Sequence, residues 1–383
     1  MDRRTVDGNR EYSMDLWYAR PGDVIVAKID LKNGAVGIVP SDWTNVVVTG
    51  HFAVYEPDRS RLVPEYLHRV IQTSFFKQHL WRNKVGAEGR KEVKLDFFEQ
   101  EPIPIPSLDV QRKIVDCWKS AVQVTKAAAQ QEKEKRAEMV SCCFQHLGLH
   151  TADESTLPKV FAVVWPTATR WSVSYNQQVQ AGMDLSHGRY PVVTLGSILT
   201  MVQYGTSQKA NSDGRGTPIL RINNIKDGQI DTGDLKHLEL TGRELDSLRL
   251  EDGDILIIRT SGSRDLVGTC AVFRGTDPFV FASYLIRLRV DQAQADSSYV
   301  AWVINSPIGR QQVNAISRQI MQNNINSEEI RSLEIPLPPL DVQQKIMAEV
   351  QAGLAEIAQL RESAKVQADA ARAEVERMII GAP

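Results

Sequence analysis

IPIPSLDVQRKI (residues 103–114) and IPLPPLDVQQKI (residues 335–346) are near copies of one another within a chain of 383 residues. Proline fixes its own φ and keeps the residue before it out of the helical region, so each copy opens extended. Asp109 and Asp341 then read as helix N-caps, and Gln344 completes a capping box that Arg112 at the matching place cannot. Downstream of Asp341, small or apolar residues recur in heptads: Met347, Val350, Leu354, Ile357, Ala364, Ala368, Ala371, Val375 and Met378, broken by Arg361. After Asp109 the series is Val115, Trp118, Val122, Thr125 and Ala129, interrupted at Glu132 and Arg136, then Met139 and Cys143. Such a narrow seam asks for a helical partner rather than a broad core. With two such helices in one chain, the economical solution is that they pair with each other, antiparallel, and hold two globular units apart.

The duplication reaches beyond the hinge, which makes it a statement about architecture. RPGDVIVAKI (20–29) matches EDGDILIIRT (251–260); each reads as a Gly-Asp turn followed by a buried strand that ends at a basic residue, Lys28 or Arg259. HFAVYEPD and SYLIRLRVD follow as further strands. PEYLHRVIQTS (64–74) then matches SSYVAWVINSP (297–307), with Tyr66, Leu67, Val70 and Ile71 against Tyr299, Val300, Val303 and Ile304 on one helical face. The expected fold is therefore α/β (α+β): two units in tandem, separated and joined by two long helices forming an antiparallel coiled coil. The expected boundaries are 1–106 for the first unit, 107–149 for the first helix, 150–336 for the second unit and 337–383 for the second helix. The copies are unequal. The first has no counterpart of YPVVTLGSILTMVQYGTSQ or TPILRINNIKDGQI.

Composition narrows the function. Hydrophobic content of 42% with 24% charged residues is that of a soluble globular protein, and no apolar run is long enough to cross a bilayer. The polar opening MDRRTVDGNREYSMD contains no secretory signal. The four cysteines, Cys117, Cys142, Cys143 and Cys270, form no C-x-x-C pair and read as lacking a histidine at ligand spacing. Neither a disulfide framework nor a metal site is expected, and the reducing cytoplasm is the expected location. The formal charge of −2 argues against unaided binding of nucleic acid. One local basic stretch, with Arg69, Lys77, Arg82, Lys84, Arg90, Lys91 and Lys94 against Glu88 and Glu92, reads by itself as a solvated face rather than a binding surface.

Two α/β units alternating with two long helices, each helix introduced by IP-[IL]-P-x-LD-x-Q-x-KI, resemble the DNA-specificity subunit of type I restriction-modification systems. VVTLGSI, PILRINNIKDGQID, LEDGDILIIRTSGS and LVGTCAVF are similar to segments of that family's target-recognition domains. The resemblance covers nearly all of residues 18–383. It implies two target-recognition domains reading the halves of a split double-stranded DNA sequence, with the paired helices as ruler. It also implies methyltransferase subunits docked on the helices and a restriction (motor-nuclease) subunit beyond them. S-adenosylmethionine, ATP and Mg would be held by those partners, with no cofactor in this chain. A helix of about 40 residues is about 60 Å long, which suits half-sites that recur every ~34–36 Å on one face of a duplex.

Candidate DNA contacts follow from side-chain chemistry in the loops. Gln203, Thr206, Ser207, Gln208 and Lys209 lie in a Gly-punctuated stretch suited to bases or phosphates, or to solvent alone. Arg221, Asn223 and Asn224 suit guanine and adenine edges, though the Asn pair serves a turn equally well. Arg259, Ser261, Ser263 and Arg264 surround Gly262, where backbone N–H groups suit phosphate; the alternative is a structural turn. Arg318, Gln322, Asn323 and Asn324 form an amide-rich run that Asn326 and Ser327 close as a helix cap. In the first unit the counterparts are Lys28, Lys32 and Asn33, together with Lys84, Arg90, Lys91 and Lys94.

Phosphate-cradling and dinucleotide Gly motifs and H-E-x-x-H are absent from the sequence, as is an Asn/Asp-Pro-Pro-aromatic tetrad. The chain therefore reads as non-catalytic. The rival readings are a coiled-coil scaffold that binds only protein, an enzyme with divergent motifs, and a half-functional specificity subunit that reads one half-site or dimerises.

Overall fold

The computed structural model describes residues 16–83, 93–149, 162–163, 173, 183–316, 318–319 and 323–381. The chain divides into two compact units, Met1–Glu132 with Ala358–Pro383, and Lys133–Ile357. Among the described residues, no helix is long and apolar enough to cross a membrane.

In the first unit, β1 (Leu16–Ala19) precedes β2 (Val24–Ala27), β3 (Val36–Ile38), β4 (Val46–Thr49) and β5 (Phe52–Tyr55). The sheet order is β3-β2-β5, antiparallel throughout, and β1 pairs with β4. Helices α1 (Pro64–Gln72), α2 (Ser74–Arg82) and α3 (Leu95–Gln100) follow, then α4 (Leu108–Leu147). Val24 and Val26 turn inward against Tyr66, Val70 and Ile71 of α1 and Leu80 of α2, all at most 2% exposed. Pro64 at the first helical position of α1 has the φ the helix needs and no N–H to leave unpaired.

The second unit carries more strand. Its elements are β6 (Val192–Thr194), β7 (Leu199–Tyr204), β8 (Thr217–Leu220), β9 (Ile225–Lys226), β10 (Gln229–Ile230), β11 (Lys236–Leu238), α5 (Gly242–Leu248), β12 (Ile255–Ile258), β13 (Thr260–Ser261), β14 (Cys270–Val272), β15 (Val280–Phe281) and β16 (Leu285–Val290). These are followed by α6 (Ser297–Asn305), α7 (Pro307–Ile316), β17 (Arg318–Gln319), β18 (Asn323–Asn324), α8 (Ser327–Arg331), β19 (Glu334–Pro336) and α9 (Leu340–Ile380). The central sheet, β14-β12-β16-β7, repeats the order of β3-β2-β5 and adds β7 at its edge. Ile255 faces Val272 and Leu288 as Val24 faces Ile38 and Tyr55, so the two sheets share register. Both begin at a glycine in the left-handed region, Gly22 (φ 86°) and Gly253 (φ 91°), where a side chain would be strained.

The repeated hinge is the same joint twice. Tyr66 Oη donates to the Pro104 carbonyl and Tyr299 Oη to that of Pro336, each at 2.8 Å. Gln111 and Gln343 are completely buried. Gln111 Nε2 donates to the carbonyls of Pro106 and Arg61, and its Oε1 accepts from Val63 N. Gln343 Nε2 donates to the carbonyls of Pro338 and Gln294, and its Oε1 accepts from Asp296 N. Each glutamine thus fastens the proline segment to the chain just ahead of α1 or α6. This corrects the expectation for the aspartates. Both long helices begin one residue earlier, so Asp109 and Asp341 lie in the first turn, and Gln344 completes no capping box. There a carboxylate still complements the positive end of the helix dipole.

The long helices pair antiparallel, as seen inside each unit. In the first, Val375 and Ile379 pack with Ile114 and Val115, and Trp118 and Met378 join them. In the second, Val350 and Ile346 pack with Cys143, Phe144 and Leu147, joined by Met347 and Leu354. Ile357 and Ala364 are buried on the same seam, while Val122 is half-buried. The interruptions at Glu132 and Arg361 meet: the guanidinium grips the carboxylate through Nε at 2.8 Å and Nη2 at 2.7 Å. One expectation about the cysteines is overturned here. Cys142 and His146 lie one turn apart on α4, and Glu349 of α9 touches both. The third group comes from the partner helix and is invisible to spacing along one segment.

Candidate nucleic-acid interface

In the second unit, four segments singled out from sequence converge at one end of the central sheet. The chain after β7 runs beside β15 and β16: Thr206 N donates to the Phe281 carbonyl and Ser283 N to that of Thr206. On the other side Ala282 N donates to the Leu220 carbonyl, which brings Arg221 to the same end. The strand β13 pairs antiparallel with β18, Thr260 opposite Asn324 and Ser261 opposite Asn323, and β17 pairs with β18 in turn. RTSGSRD and the amide-rich run are thereby joined as one small sheet.

The side chains divide into committed and available groups. Gln203 is not in a loop: it stands on β7 opposite Arg287, donates to Ser247 O at 3.1 Å and accepts from Arg287 Nη2. Asn224 is 1% exposed, and its amide is consumed by the carbonyls of Asp231 and Asp234 and by Arg221 N, so it shapes the turn. Arg221 Nη2 donates to Asp234 Oδ2 at 3.1 Å. Arg264 donates to the Asn314 carbonyl at 2.9 Å, and Ser261 Oγ accepts from Ser263 N. These five hold the loops. Ser207, Lys209, Asn223 and Ser263 are exposed, and Gln208 reaches Glu244 at 3.0 Å. Thr206 is half-buried, with Oγ1 accepting from Gln208 N.

Arg259 is the centre of the group. Its guanidinium lies over the Tyr204 ring, 4.9 Å from the centroid. The Tyr204 hydroxyl accepts from Ser327 N at 3.1 Å, which anchors the ring to the start of α8. Arg259 Nε and Asn324 Oδ1 are both shielded from solvent without a hydrogen-bond partner among the described residues. Tyr204 escaped the sequence reading, although an aromatic at a strand end beside a Gly-rich loop is a recognisable signal. So did Tyr284, which is 54% exposed and whose carbonyl accepts from Arg259 N. Arg318 and Asn323 are placed here by their backbone pairing alone. Gln322 lies outside the described residues.

Towards the opposite end of the same sheet, where Ile255 pairs with Leu288, lies a buried ionic cluster. Asp254, 1% exposed, accepts from Arg289 Nε at 2.7 Å and Nη2 at 2.9 Å, while Arg287, 3% exposed, lies 3.6 Å away. Arg287 also donates to the carbonyls of Arg249 and Ser247, so most of its donors are satisfied. Burial pushes the Arg287 guanidinium below its ordinary value, and Asp254 opposes that shift. The cluster ties the start of β12 to β16, and Arg287 ties β16 to Gln203 of β7.

The first unit offers less. Lys28 follows β2 half-buried; Lys32 and Asn33 sit in a turn of 3-10 helix closed by Gly34 at φ 75°. Lys94 is exposed at the start of α3. Lys84, Arg90 and Lys91 lie outside the described residues.

Residues 189–367 match the family described as the type I restriction modification DNA specificity domain. This part of the chain is similar to type I specificity subunits. It is 28% identical over 289 residues to the type I restriction enzyme EcoKI specificity subunit of Escherichia coli K12, covering 72% of this chain and 56% of that protein. It is 29% identical over 295 residues to the StySPI specificity subunit of Salmonella potsdam, covering 75% and 58%. The chain thus spans little more than half the length of these relatives. A solved chain from work on complex assembly and conformational transition of the type I R-M system shares the fold, with a TM-score of 0.60 at 17% identity over 98% of this chain and 85% of that one. The specificity-domain match covers most of the better-furnished second unit and takes in only residues 358–367 of the first.

Proposed function

We propose that this chain is the sequence-reading subunit of a type I restriction-modification complex. It recognises a bipartite double-stranded DNA target in the cytoplasm, and docks methyltransferase subunits and, through them, a motor-nuclease subunit. The observation that carries the reading is the group of Arg259, Tyr204 and Asn324 at the end of the second unit's sheet. A shielded polar atom without a partner costs about 1–3 kcal/mol, and that cost is removed when a ligand supplies the partner. Guanidinium and amide groups pair with guanine and adenine edges respectively. Near-neutral charge requires that partner subunits supply much of the phosphate affinity. Methyl transfer and ATP-driven chemistry belong to those partners, with their S-adenosylmethionine, ATP and Mg; this chain positions and does not catalyse.

The test is to reconstitute the chain with methyltransferase subunits and map methylated adenines in the modified DNA. A split motif with a fixed gap is expected. If the complex retains no duplex in a salt-dependent, sequence-selective way, the chain is a protein-binding scaffold and the proposal fails. A half-reading variant is favoured by the first unit, which has no counterpart of β7, β13 or β18 among its described residues. A single short or palindromic motif would establish that variant.

A further inference from the structure

Three side chains of different ligand chemistry meet where α4 and α9 pair in the second unit. Cys142 Sγ lies 3.2 Å from Glu349 Oε2, and His146 Nε2 lies 2.9 Å from Glu349 Oε1 and 3.0 Å from Oε2. One donor atom from each falls within 4.8 Å of the others. We propose that Cys142, His146 and Glu349 form a binding site for a borderline-soft divalent transition-metal ion of the zinc or cobalt kind, clipping α4 to α9.

The donor set decides the class of ion. A thiolate and an imidazole are poor ligands for Mg and Ca, which favour oxygen alone, and good ones for Zn and its neighbours. With bonds of about 2.3 Å to sulfur and about 2.0–2.2 Å to nitrogen and oxygen, tetrahedral ligands stand roughly 3.3–3.7 Å apart. The observed separations are close enough that rotamer adjustment, without movement of either helix, opens the triangle. Cysteine and histidine four apart share one helical face, and the facing helix supplies the carboxylate. The fourth position points to solvent, since Cys142 is exposed and the His146 and Glu349 side chains are 25% and 34% exposed. That position takes a water.

The metal-free state is a hydrogen-bonded stand-in for the same arrangement. The hydrogen bond to Glu349, followed by burial, raises the Cys142 thiol, which therefore carries its proton and donates it. Burial works against the Glu349 carboxylate, yet hydrogen bonds from Cys142 and His146 hold it below the usual range. On binding, the S–H bond breaks, the proton leaves to solvent, the thiolate takes its place on the ion, and the ion releases water for each protein ligand gained. Glu138 and Lys345 are the charged groups nearby; their opposite signs leave the carboxylate and thiolate as the main local charge.

The experiment titrates Co2+ into the full-length chain and follows the thiolate-to-cobalt charge-transfer absorption, alongside thermal unfolding with and without Zn2+. One ion per chain is expected, with the band lost in Cys142→Ala and affinity weakened by at least about tenfold in His146→Ala and Glu349→Gln. Zn2+ raises the unfolding temperature of the wild type and not of Cys142→Ala. Cys142 is exposed, so Cys142→Ala and Cys142→Ser keep the wild-type unfolding temperature without metal and serve as folding controls. A band that is absent from the wild type, or that survives in Cys142→Ala through Cys117, Cys143 or Cys270, overturns the proposal. So does a band indifferent to both His146→Ala and Glu349→Gln.

Discussion

Tyr66 and Tyr299 do the same work in the two units, but Asp23 and Asp254 do not. Each tyrosine is fully buried and donates to the second residue of the proline hinge. Each aspartate closes the turn ahead of its central strand, accepting from the backbone N–H of Arg20 at 2.7 Å or Glu251 at 2.9 Å. Only Asp254 then takes on two arginines. The arginines stand on β16, where the first unit has Val54 and Glu56 on and after β5. The lesson is that the joint between unit and helix is preserved as packing, while the side chains around the start of the central strand have been free to diverge. The second unit braces its central sheet ionically; the first, at the matching positions, does not.

The comparison is broken most sharply at those aspartates. Asp254→Ala leaves Arg287 buried without its counter-charge and is expected to cost about 3–5 kcal/mol. Asp23→Ala loses a turn hydrogen bond and costs about 1 kcal/mol. Hydrogen exchange of β12 and β2 measures the two effects separately, because two units need not unfold together. Equal losses would mean that the ionic cluster adds nothing.

At the joint the units should instead agree. Gln111→Ala and Gln343→Ala each strand buried carbonyls and a backbone N–H, and each is expected to cost about 2–3 kcal/mol. Unequal losses, measured in the same exchange experiment, would show that one hinge is a relic. The proposed reading surface gives the next effect. Arg259→Ala in the reconstituted complex is expected to weaken binding to the target by about 1–3 kcal/mol and to relax specificity at one position. Lys28→Ala should weaken all sequences alike and reduce the salt dependence slightly. Competition binding against single-base variants of the target distinguishes the two patterns.

The smallest expected effect concerns acid. Burial, then the neighbouring Arg69 and Lys77 charges, push His68 down from 6.5 to about 4, so it is neutral in the folded unit. A folded value below the unfolded one gives stability that is full above about pH 6.5 and lost as pH falls toward 4. The side chain keeps partial access to solvent, which limits the loss to about 1 kcal/mol. Its counterpart in the second unit is Ala301. His68→Ala should flatten the acid response of the first unit, read by exchange of α1 at pH 5 against pH 7, and leave the second unchanged.

The frame was legible because its signals are local or repeated. Proline hinges, heptads, the Gly-Asp turns and the Tyr66/Tyr299 helices each declare themselves within a dozen residues, and the second copy confirms the first. Gln111 and Gln343 were visible as a shared letter in the hinge, but nothing short of three dimensions assigns a buried amide its three partners. The site was less legible. Polar residues in Gly-rich loops look alike in sequence, whereas in the fold Asn224 and Gln203 are used up as internal braces and Arg259 is not. Tyr204 was missed because its role comes from Arg259 and Ser327, both remote along the chain. The Cys142–His146–Glu349 group was hidden in the same way, its third member joined only when α9 folds back on α4.

The buried glutamine joint also sets a mechanical tolerance. A helix of 40 residues is a lever of about 60 Å, so a tilt of about 5° at its fixed end swings the other end by roughly 5 Å. That exceeds the ~3.4 Å rise of one base pair. Under the bipartite reading proposed above, loosening Gln111 or Gln343 would therefore blur the gap by a base pair or more before it unfolded anything, an error of spacing rather than of letters.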